Sequence, residues 1–256
     1  MKAIDSHAHI SDKVYDADRE AVINRSFESG VCAIIDIACE EKVWDKSLKL
    51  SQKEGIWTTF GIHPHEAQNA VDEDFKKLLK LLENKKAVAV GEAGLDYYYN
   101  YSPQDLQKKV FKRQIDIAAE VNKPIVIHSR NSGLDVISIL KEYKRVPSGV
   151  IHSFDGSMQE AKIYIDMGFM LGVCSTITYP KAQEIRNVIA DAPLSNLLIE
   201  TDCPYRAPQN ERGKRSEPSF VLEIAEKLAE IKNISIEEVC AATYTNAERL
   251  FLGGQK

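Results

Sequence analysis

The sequence of 256 residues contains few cysteines and no C-x-x-C pair. Its five cysteines are an odd number, which argues against a disulfide framework, and the missing paired motif argues against a thiolate zinc site. Basic residues are not in excess either, because 33 Lys and Arg against 38 Asp and Glu give a net charge of −5. These counts exclude a protein that holds nucleic acid through a broad basic surface, so any phosphate contact must come from a local cluster or a bound metal.

Long apolar runs are absent as well. No segment approaches the roughly 18 apolar residues of a membrane helix, and the N-terminal segment lacks the apolar stretch of a signal peptide. What is present, 44% hydrophobic and 28% charged residues, is typical of a folded globular protein. We therefore expect a cytoplasmic protein without membrane association, and no feature of the sequence indicates an obligate protein partner.

Short apolar runs rich in β-branched residues recur along the whole chain and predict eight strands. The runs span residues 2–4, 31–37, 56–60, 87–90, 124–127, 149–151, 169–173 and 196–199. Segments with helical periodicity lie between them, and two of these begin with the S-x-x-E capping box, at Ser157 and Ser235. Strands that are apolar on both faces and alternate with helices predict a parallel sheet covered by helices.

Eight such units predict an α/β protein of one domain over residues 1–256, folded as a (β/α)8 barrel of the TIM type. A doubly wound open sheet is the alternative. It is disfavoured because G-x-G-x-x-G does not follow the first run and no shift in composition marks a second domain.

The active site of such a barrel forms where the strands end, so the residues that follow each run decide its chemistry. Nearly all of them are of types that bind metals, and they include all six histidines of the chain. The set comprises Asp5, His7, His9, His63, His65, Glu92, His128, His152, Glu200 and Asp202. A single histidine at a strand end is usually structural, but the whole set together predicts a metal centre.

His7 and His9 are two residues apart in an extended segment, so both imidazoles project to the same side and can bind one ion. Asp202 follows the last strand and returns beside the first when the barrel closes. These three residues form the first predicted site.

His128 and His152 follow neighbouring strands and can bind a second ion. Glu92 lies between the two groups in barrel order and can bridge both ions with its two carboxylate oxygens. The sequence therefore predicts two divalent cations with coordination positions open to water and substrate. Imidazole ligands suit Zn, Mn, Co or Fe, and the carboxylates would also admit Mg.

Six motifs, in order along the chain, resemble those of the TatD family of metal-dependent deoxyribonucleases, within the amidohydrolase superfamily. They are D-S-H-A-H-I at 5–10, G-I-H-P-H at 61–65, G-E-A-G-L-D-Y at 91–97, I-H-S-R at 127–130, H-S-F-D-G-S at 152–157 and E-T-D-C-P-Y at 200–205. The resemblance implies a (β/α)8 barrel whose two-metal centre hydrolyses phosphodiesters. It implies the same ligand set: His7, His9 and Asp202 for one metal, His128 and His152 for the other, and Glu92 as the bridge. The chain departs from the family pattern at Ala93, where Thr is common, and at Ser216, where Asn is common; neither is a ligand.

Three further residues near the strand ends are candidates for substrate contact. His63 and His65 can reach a phosphate oxygen or a leaving group, although one of them can instead only orient the turn around Pro64. Arg130 suits bidentate contact with a phosphate. Its alternative is a salt bridge on the rim.

A loop after the last strand, residues 206–215, carries the local basic cluster that the acidic net charge requires. Its basic residues are predicted to bind phosphate, although a solvated charged surface is the alternative; they are Arg206, Arg212, Lys214 and Arg215.

A second group on the rim consists of tyrosines that follow the fourth strand. They are Tyr97, Tyr98, Tyr99 and Tyr101. Aromatic faces there can stack bases of a single strand. Because successive residues cannot all face one cleft, we expect at least two of the four to pack against the protein.

The sequence thus predicts a metal-dependent phosphodiesterase, best interpreted as a deoxyribonuclease that trims DNA or oligonucleotides at ends or single strands. The predicted catalytic residues are Glu92, which bridges the metals, Asp202, which takes the proton of a metal-activated water, and His63, which with Arg130 steadies charge on the phosphate. Two alternatives remain open: a small-molecule amidohydrolase or lactonase with the same centre, and a metal-binding module that works through a partner.

Overall fold

Eight parallel strands form one sheet in chain order in the computed structural model, which describes residues 2–253. The strands are β1 Ala3–Ala8, β2 Val31–Ala38, β3 Ile56–Phe60, β4 Ala87–Asp96, β5 Ile125–Arg130, β6 Gly149–Ile151, β7 Phe169–Val173 and β8 Leu197–Ile199. Each pairs in parallel with the next. The last strand returns to the first, where the Asp202 N–H donates to the His7 carbonyl (2.9 Å) and the His9 N–H to the Cys203 carbonyl (2.7 Å). The predicted single-domain (β/α)8 barrel is confirmed.

Helices alternate with the strands and cover the barrel. They are α1 Arg19–Ser29, α2 Glu41–Leu50, α3 Asp72–Leu82, α4 Gln104–Glu120, α5 Gly133–Lys141, α6 Met158–Asp166, α7 Gln183–Asp191, α8 Val221–Lys232 and α9 Ile236–Ala247. Both predicted capping boxes are present: the Ser157 and Ser235 hydroxyls accept the N–H groups of Glu160 and Glu238, respectively. Among the described residues, none of the helices has the length and apolar character of a membrane span.

The apolar core has two parts, as expected for a barrel wrapped in helices. One lies between the strands and the helices, and the other includes the interior side chains Ile4, Ile35 and Val126. Phe251, in the π-helical segment Glu248–Leu252, belongs to the same cluster as these interior residues. This segment after α9 therefore packs with the barrel interior.

Three strands extend at least three residues beyond the apolar runs that predicted them. β1 continues to Ala8, β4 to Asp96 and β5 to Arg130, because parallel pairing persists through the polar residues. His7, Glu92 and His128 accordingly lie within strands instead of after them. The alternating pleat fixes the direction in which each of these side chains points.

Gly94 in β4 permits a close approach to the neighbouring strand. Its φ is +147°, and a Cβ atom there would lie 2.0 Å from the His128 carbonyl oxygen. Any other residue would therefore push β4 away from β5 at His128.

Candidate metal centre and active-site cleft

A cleft of about 750 Å³ opens where the strands end. Its volume lies within the range of about 300–1,000 Å³ that is usual for small-ligand sites. Five of the six histidines line it, and the sixth, His7, is fully buried.

His7, His9 and Asp202 meet at the seam between β1 and the segment after β8. The Nε2 atoms of His7 and His9 are 3.3 Å apart, and Asp202 Oδ1 lies 3.8 and 3.4 Å from them, respectively. The two-residue spacing in an extended strand thus places both imidazoles on one side, as the sequence predicts.

Glu92 lies between two groups of histidines and is 3% exposed. Its Oε2 is 3.3 Å from His7 Nε2, whereas its Oε1 is 2.6 Å from His128 Nδ1 and 3.8 Å from His63 Nε2. Burial alone would raise the pKa of Glu92, but His152, His7 and His128 hold it well below its usual value. A carboxylate that stays ionised between imidazoles on both sides is placed to bridge two cations.

The structure does not group His128 with His152, although the sequence predicts that these two bind one ion. The His152 ring stacks on His7, with centroids 3.4 Å apart, and forms a group of possible ligands with His7 and Glu92. His128 forms another with His63 and Glu92. Within residues 2–253 no group holds both His128 and His152, and Glu92 is the residue common to their two groups.

Three of these histidines have an outer partner for one ring nitrogen. His9 Nδ1 lies 3.0 Å from the Ile37 carbonyl oxygen, and His128 Nε2 lies 3.0 Å from Asp96 Oδ2. His152 Nδ1 is 2.7 Å from Glu200 Oε1, at an angle that makes no hydrogen bond. Outer partners of this kind orient metal-ligating histidines and leave the second nitrogen for the ion.

The donor set fits divalent cations. Burial alone would lower the pKa of His9 and of His152, but the surrounding carboxylates outweigh burial and raise both pKa values well above the usual range. Asp202 and the Cys39 thiol act on His9, and Glu200, Glu92 and Asp202 act on His152. The carboxylates therefore favour positive charge at His9 and His152, which bound cations would supply in place of protons.

His63 and His65 follow β3 and line the cleft. His63 Nδ1 accepts the backbone N–H of His65 (3.1 Å), so Nε2 carries the proton of the neutral ring and can donate. Burial and the nearby His128 lower the pKa of His63 well below its usual value, which keeps that ring neutral. His65 differs, since its Nε2 lies 3.0 Å from Asp96 Oδ2.

The sequence predicts Glu200 and Arg206 only as members of larger groups, and it gives Asp96 no role. Asp96 shares the β4 face of Glu92, four residues away in a pleated strand, and this period of two could have identified it. Glu200 directly follows β8, and the Ser153 N–H donates to its Oε1 (2.6 Å). The Glu200 carboxylate fits only because residue 172 is a glycine: a Cβ atom at Gly172 would lie 2.5 Å from Oε1.

Arg206 is the basic residue of the loop 206–215 that lies beside the histidines and carboxylates of the cleft. Its Nε is 3.6 Å from Asp202 Oδ2, and its Nη1 donates to the Ser153 hydroxyl (2.8 Å). Arg206, Ser153 and Asp202 all have positive φ, between 45° and 56°. Such backbone strain in non-glycine residues is concentrated at functional sites.

The other basic residues of the loop 206–215 are placed differently from the prediction. Arg215 donates to Asp18 (2.6 Å) and Glu217 (3.2 Å), and Lys214 pairs with Glu211. Neither these two nor Arg212 is among the described residues that line the cleft. Arg212 comes nearest, because its guanidinium lies 5.2 Å from the ring of Tyr179, which does line it.

The tyrosines after β4 are more exposed than expected. Tyr98, Tyr99 and Tyr101 are 59%, 46% and 60% exposed, so the expectation that at least two of the four pack away is wrong. Only Tyr97 is largely covered, and its hydroxyl donates to Asp135 (2.7 Å). The short β4–α4 connection holds the other rings outward on the cleft side.

The model of the family described as TatD related DNase matches residues 4–252. A Bacillus subtilis (strain 168) protein named uncharacterized metal-dependent hydrolase YabD is 39% identical, over 96% of this chain and 98% of its own. An Erwinia tasmaniensis protein named 3'-5' ssDNA/RNA exonuclease TatD is 32% identical, over 91% of this chain and 93% of its own. The crystal structure of YJJV, a TatD homologue from Escherichia coli K12, superposes with a TM-score of 0.92 at 31% identity and covers 97% of both chains. The chain therefore belongs to the TatD-related DNase family of metal-dependent hydrolases.

Proposed function

We propose that this hydrolase cleaves phosphodiester bonds of DNA or oligonucleotides from an end, with two divalent cations. The observation that carries the proposal is the convergence of buried Glu92 and the histidines of β1, β5 and β6 on one cleft. The family description names DNases, and the Erwinia relative is named an exonuclease of single-stranded DNA and RNA. Both names support a nucleic acid substrate.

One cation would be held by His7, His9 and Asp202, and the second by His128 and His152, with Glu92 shared. Zn, Mn, Co, Fe and Mg all suit this mixture of imidazole and carboxylate ligands. When bound, such cations would polarise a phosphoryl oxygen and lower the pKa of a water molecule.

Asp202 is the residue proposed to take the proton from the attacking water. Its Oδ1 faces the histidines and its Oδ2 faces Arg206. Contacts with His152 and His9 keep its pKa well below the usual value although burial opposes this, so the carboxylate is ionised, as a proton acceptor must be before the reaction. The water oxygen would bond to phosphorus while the ester P–O bond breaks, and the leaving oxygen would finally receive a proton.

The substrate phosphate would be held by the remaining polar groups of the cleft. His63 Nε2–H and the Arg206 guanidinium are placed to donate to its oxygens, and Arg130 reaches the same cleft from β5. His65 stays a predicted substrate contact, since it lines the cleft while one nitrogen faces Asp96. Of the predicted loop residues after Arg206, only Arg212 remains a candidate, on the outer rim.

The test is a matrix of metals against substrates with the purified protein. The metals are Zn, Mn, Co, Fe and Mg, and the substrates are single- and double-stranded DNA and RNA labelled at either end, with a lactone and a cyclic amide. We expect stepwise shortening of single strands that depends on the metal. Asp202→Asn, purified identically, controls for contaminating nucleases.

Hydrolysis of the lactone or the cyclic amide with none of the oligonucleotides would overturn the proposal in favour of an amidohydrolase. The absence of any turnover with metal bound would favour a binding module instead.

A further inference from the structure

Exposed apolar side chains lie at one end of the barrel. Eight large apolar side chains within residues 2–253 are exposed, and every one lies in a segment after a strand or in the first turn of the following helix. In a (β/α)8 barrel these segments surround the active site. Apolar groups that share the face of a cleft can contribute to binding there.

Tyr99 and Tyr101 form the part of this surface that lines the cleft, and we call them the tyrosine pair. Their rings are stacked, with centroids 5.3 Å apart and planes at 21°. They are 46% and 60% exposed, so much of their area remains for another planar group. The guanidinium carbon of Arg130 lies over the Tyr99 ring, 4.8 Å from its centroid, and over the Tyr98 ring at 4.3 Å. Tyr101, the more exposed ring, therefore offers the pair's main free face, with a positive charge nearby.

The tyrosine pair is held at a fixed position relative to the metal centre. Asp96 Oδ1 accepts the backbone N–H groups of Tyr98 (3.0 Å) and Tyr99 (2.9 Å), while its Oδ2 lies 3.0 Å from His128 Nε2. Gln107 ties the same connection down by donating to the carbonyls of Asp96 and Ser102. One carboxylate therefore links the rings to a metal-site histidine.

We propose that the tyrosine pair stacks an unpaired nucleobase of the strand whose phosphodiester lies at the metal centre. This inference rests on the proposed function and adds a base-binding subsite to it. Base faces stack on aromatic rings irrespective of sequence, and Arg130 beside the pair suits the phosphate next to the stacked base. A base within a duplex has its faces covered by its neighbours, so a duplex end must fray before it can bind.

The proposed subsite also predicts which part of a nucleotide the protein does not recognise. Stacking engages the base face and leaves the sugar 2′ position without a partner in the pair. DNA and RNA single strands are therefore expected to bind the subsite alike, whereas a nucleotide without a base is expected to bind weakly.

The experiment compares cleavage of a single strand with that of the same strand carrying one abasic nucleotide near an end. The abasic position is moved through the terminal nucleotides of both ends, and the ratio of kcat/KM between the two strands is measured. At the position that meets the tyrosine pair, we expect a ratio of about 5- to 100-fold in the metal-loaded wild-type protein.

Variants assign that ratio to the rings. In Tyr99→Leu/Tyr101→Leu, which keeps apolar bulk but removes the flat faces, the ratio should fall to near one. Tyr99→Phe/Tyr101→Phe, which keeps the faces, should preserve the ratio. Val71→Ala removes an exposed apolar group of the same barrel end outside the cleft and should change neither the ratio nor the rate.

A wild-type ratio near one at every position, or an unchanged ratio in the Leu variant, would overturn the subsite. A binding measurement separates this outcome from failure of the proposed function: quenching of 2-aminopurine in an oligonucleotide with nuclease-resistant linkages. Quenching that the Leu variant loses, without cleavage of any ordinary strand, would support the subsite and overturn the phosphodiesterase assignment. Cleavage whose rate does not depend on the base would support the phosphodiesterase assignment and overturn the subsite. Saturable binding of a peptide in preference to any oligonucleotide would overturn both.

Discussion

Two regions at the same end of the barrel carry many charged or ionisable side chains: the metal-centre residues on the strands and the loop 206–215. The side chains of the two regions point to different partners. His7, Glu92 and His128 lie within paired strands and point where the pleat directs them. In the loop, Arg215 and Lys214 are neutralised by Asp18, Glu217 and Glu211. Charge on a strand end is thus directed to the site by the sheet, whereas charge on a loop goes to the nearest partner.

The largest effect is expected from the residue that joins the two histidine groups. Glu92→Gln should lower metal content and reduce kcat/KM on single strands by about 10³-fold or more, because a neutral amide bridges two cations poorly. Metal analysis and rates from the same preparation would check this. Retention of two metals with a near wild-type rate would mean that Glu92 is not the shared ligand.

Asp202→Asn should distinguish the two roles proposed for Asp202, metal binding and acceptance of the water proton. The amide oxygen still coordinates but the group accepts no proton, so metal should largely remain while kcat falls by about 10²- to 10⁴-fold. The same metal analysis, combined with kcat at saturating substrate, gives the result. Near-normal turnover with full metal content would assign the base to another group.

Glu200→Gln tests a carboxylate that lies against His152, one of the proposed metal ligands. It keeps the shape but removes the charge beside His152, so metal affinity should fall by about 10- to 100-fold. Competition with a metal-binding dye measures this, and activity should return at higher metal concentration. A rate loss that added metal does not restore would contradict a supporting role.

Arg206→Gln tests the one basic residue of the loop that lies at the cluster. Loss of a charged donor to the substrate phosphate should raise KM for oligonucleotides about tenfold, with a smaller effect on kcat. Steady-state kinetics at several salt concentrations would check this. An unchanged KM would leave the phosphate to His63 and Arg130.

Arg215→Gln should have a smaller effect than Arg206→Gln and completes the comparison. Its ion pairs are partly exposed, so their loss should cost about 0.5–1 kcal/mol of stability and leave KM unchanged. Thermal unfolding and the kinetics used for Arg206→Gln give the matched readouts, and Lys214→Gln should be smaller still. A KM increase as large as that of Arg206→Gln would restore the prediction that the outer loop binds phosphate.

Much of the fold could be predicted because each strand is apolar on both faces and therefore stands out from the helices. The polar ends of β1, β4 and β5 could not, because hydrogen bonding to a neighbouring strand carries no local sequence pattern. Gly94 shows this clearly, since its role depends on the His128 carbonyl of the adjacent strand.

The candidate ligands could be predicted from position alone, because a strand end specifies where a side chain lies. Their partners could not: Asp96 serves His128, and Glu200 lies against His152, only through contacts between distant segments. The ion pair of Arg215 with Asp18 and the exposure of Tyr99 and Tyr101 depend likewise on which segments become neighbours.

The seam where the Asp202 N–H meets the His7 carbonyl joins the first strand to the last. A chain still emerging from the ribosome completes this junction only after nearly all of its strands have been made. Until then His7 and His9 lack the carboxylate of Asp202, so the cation site proposed for these three residues would be incomplete. The cation would thus act as a late check on assembly, stabilising only chains whose two ends have joined.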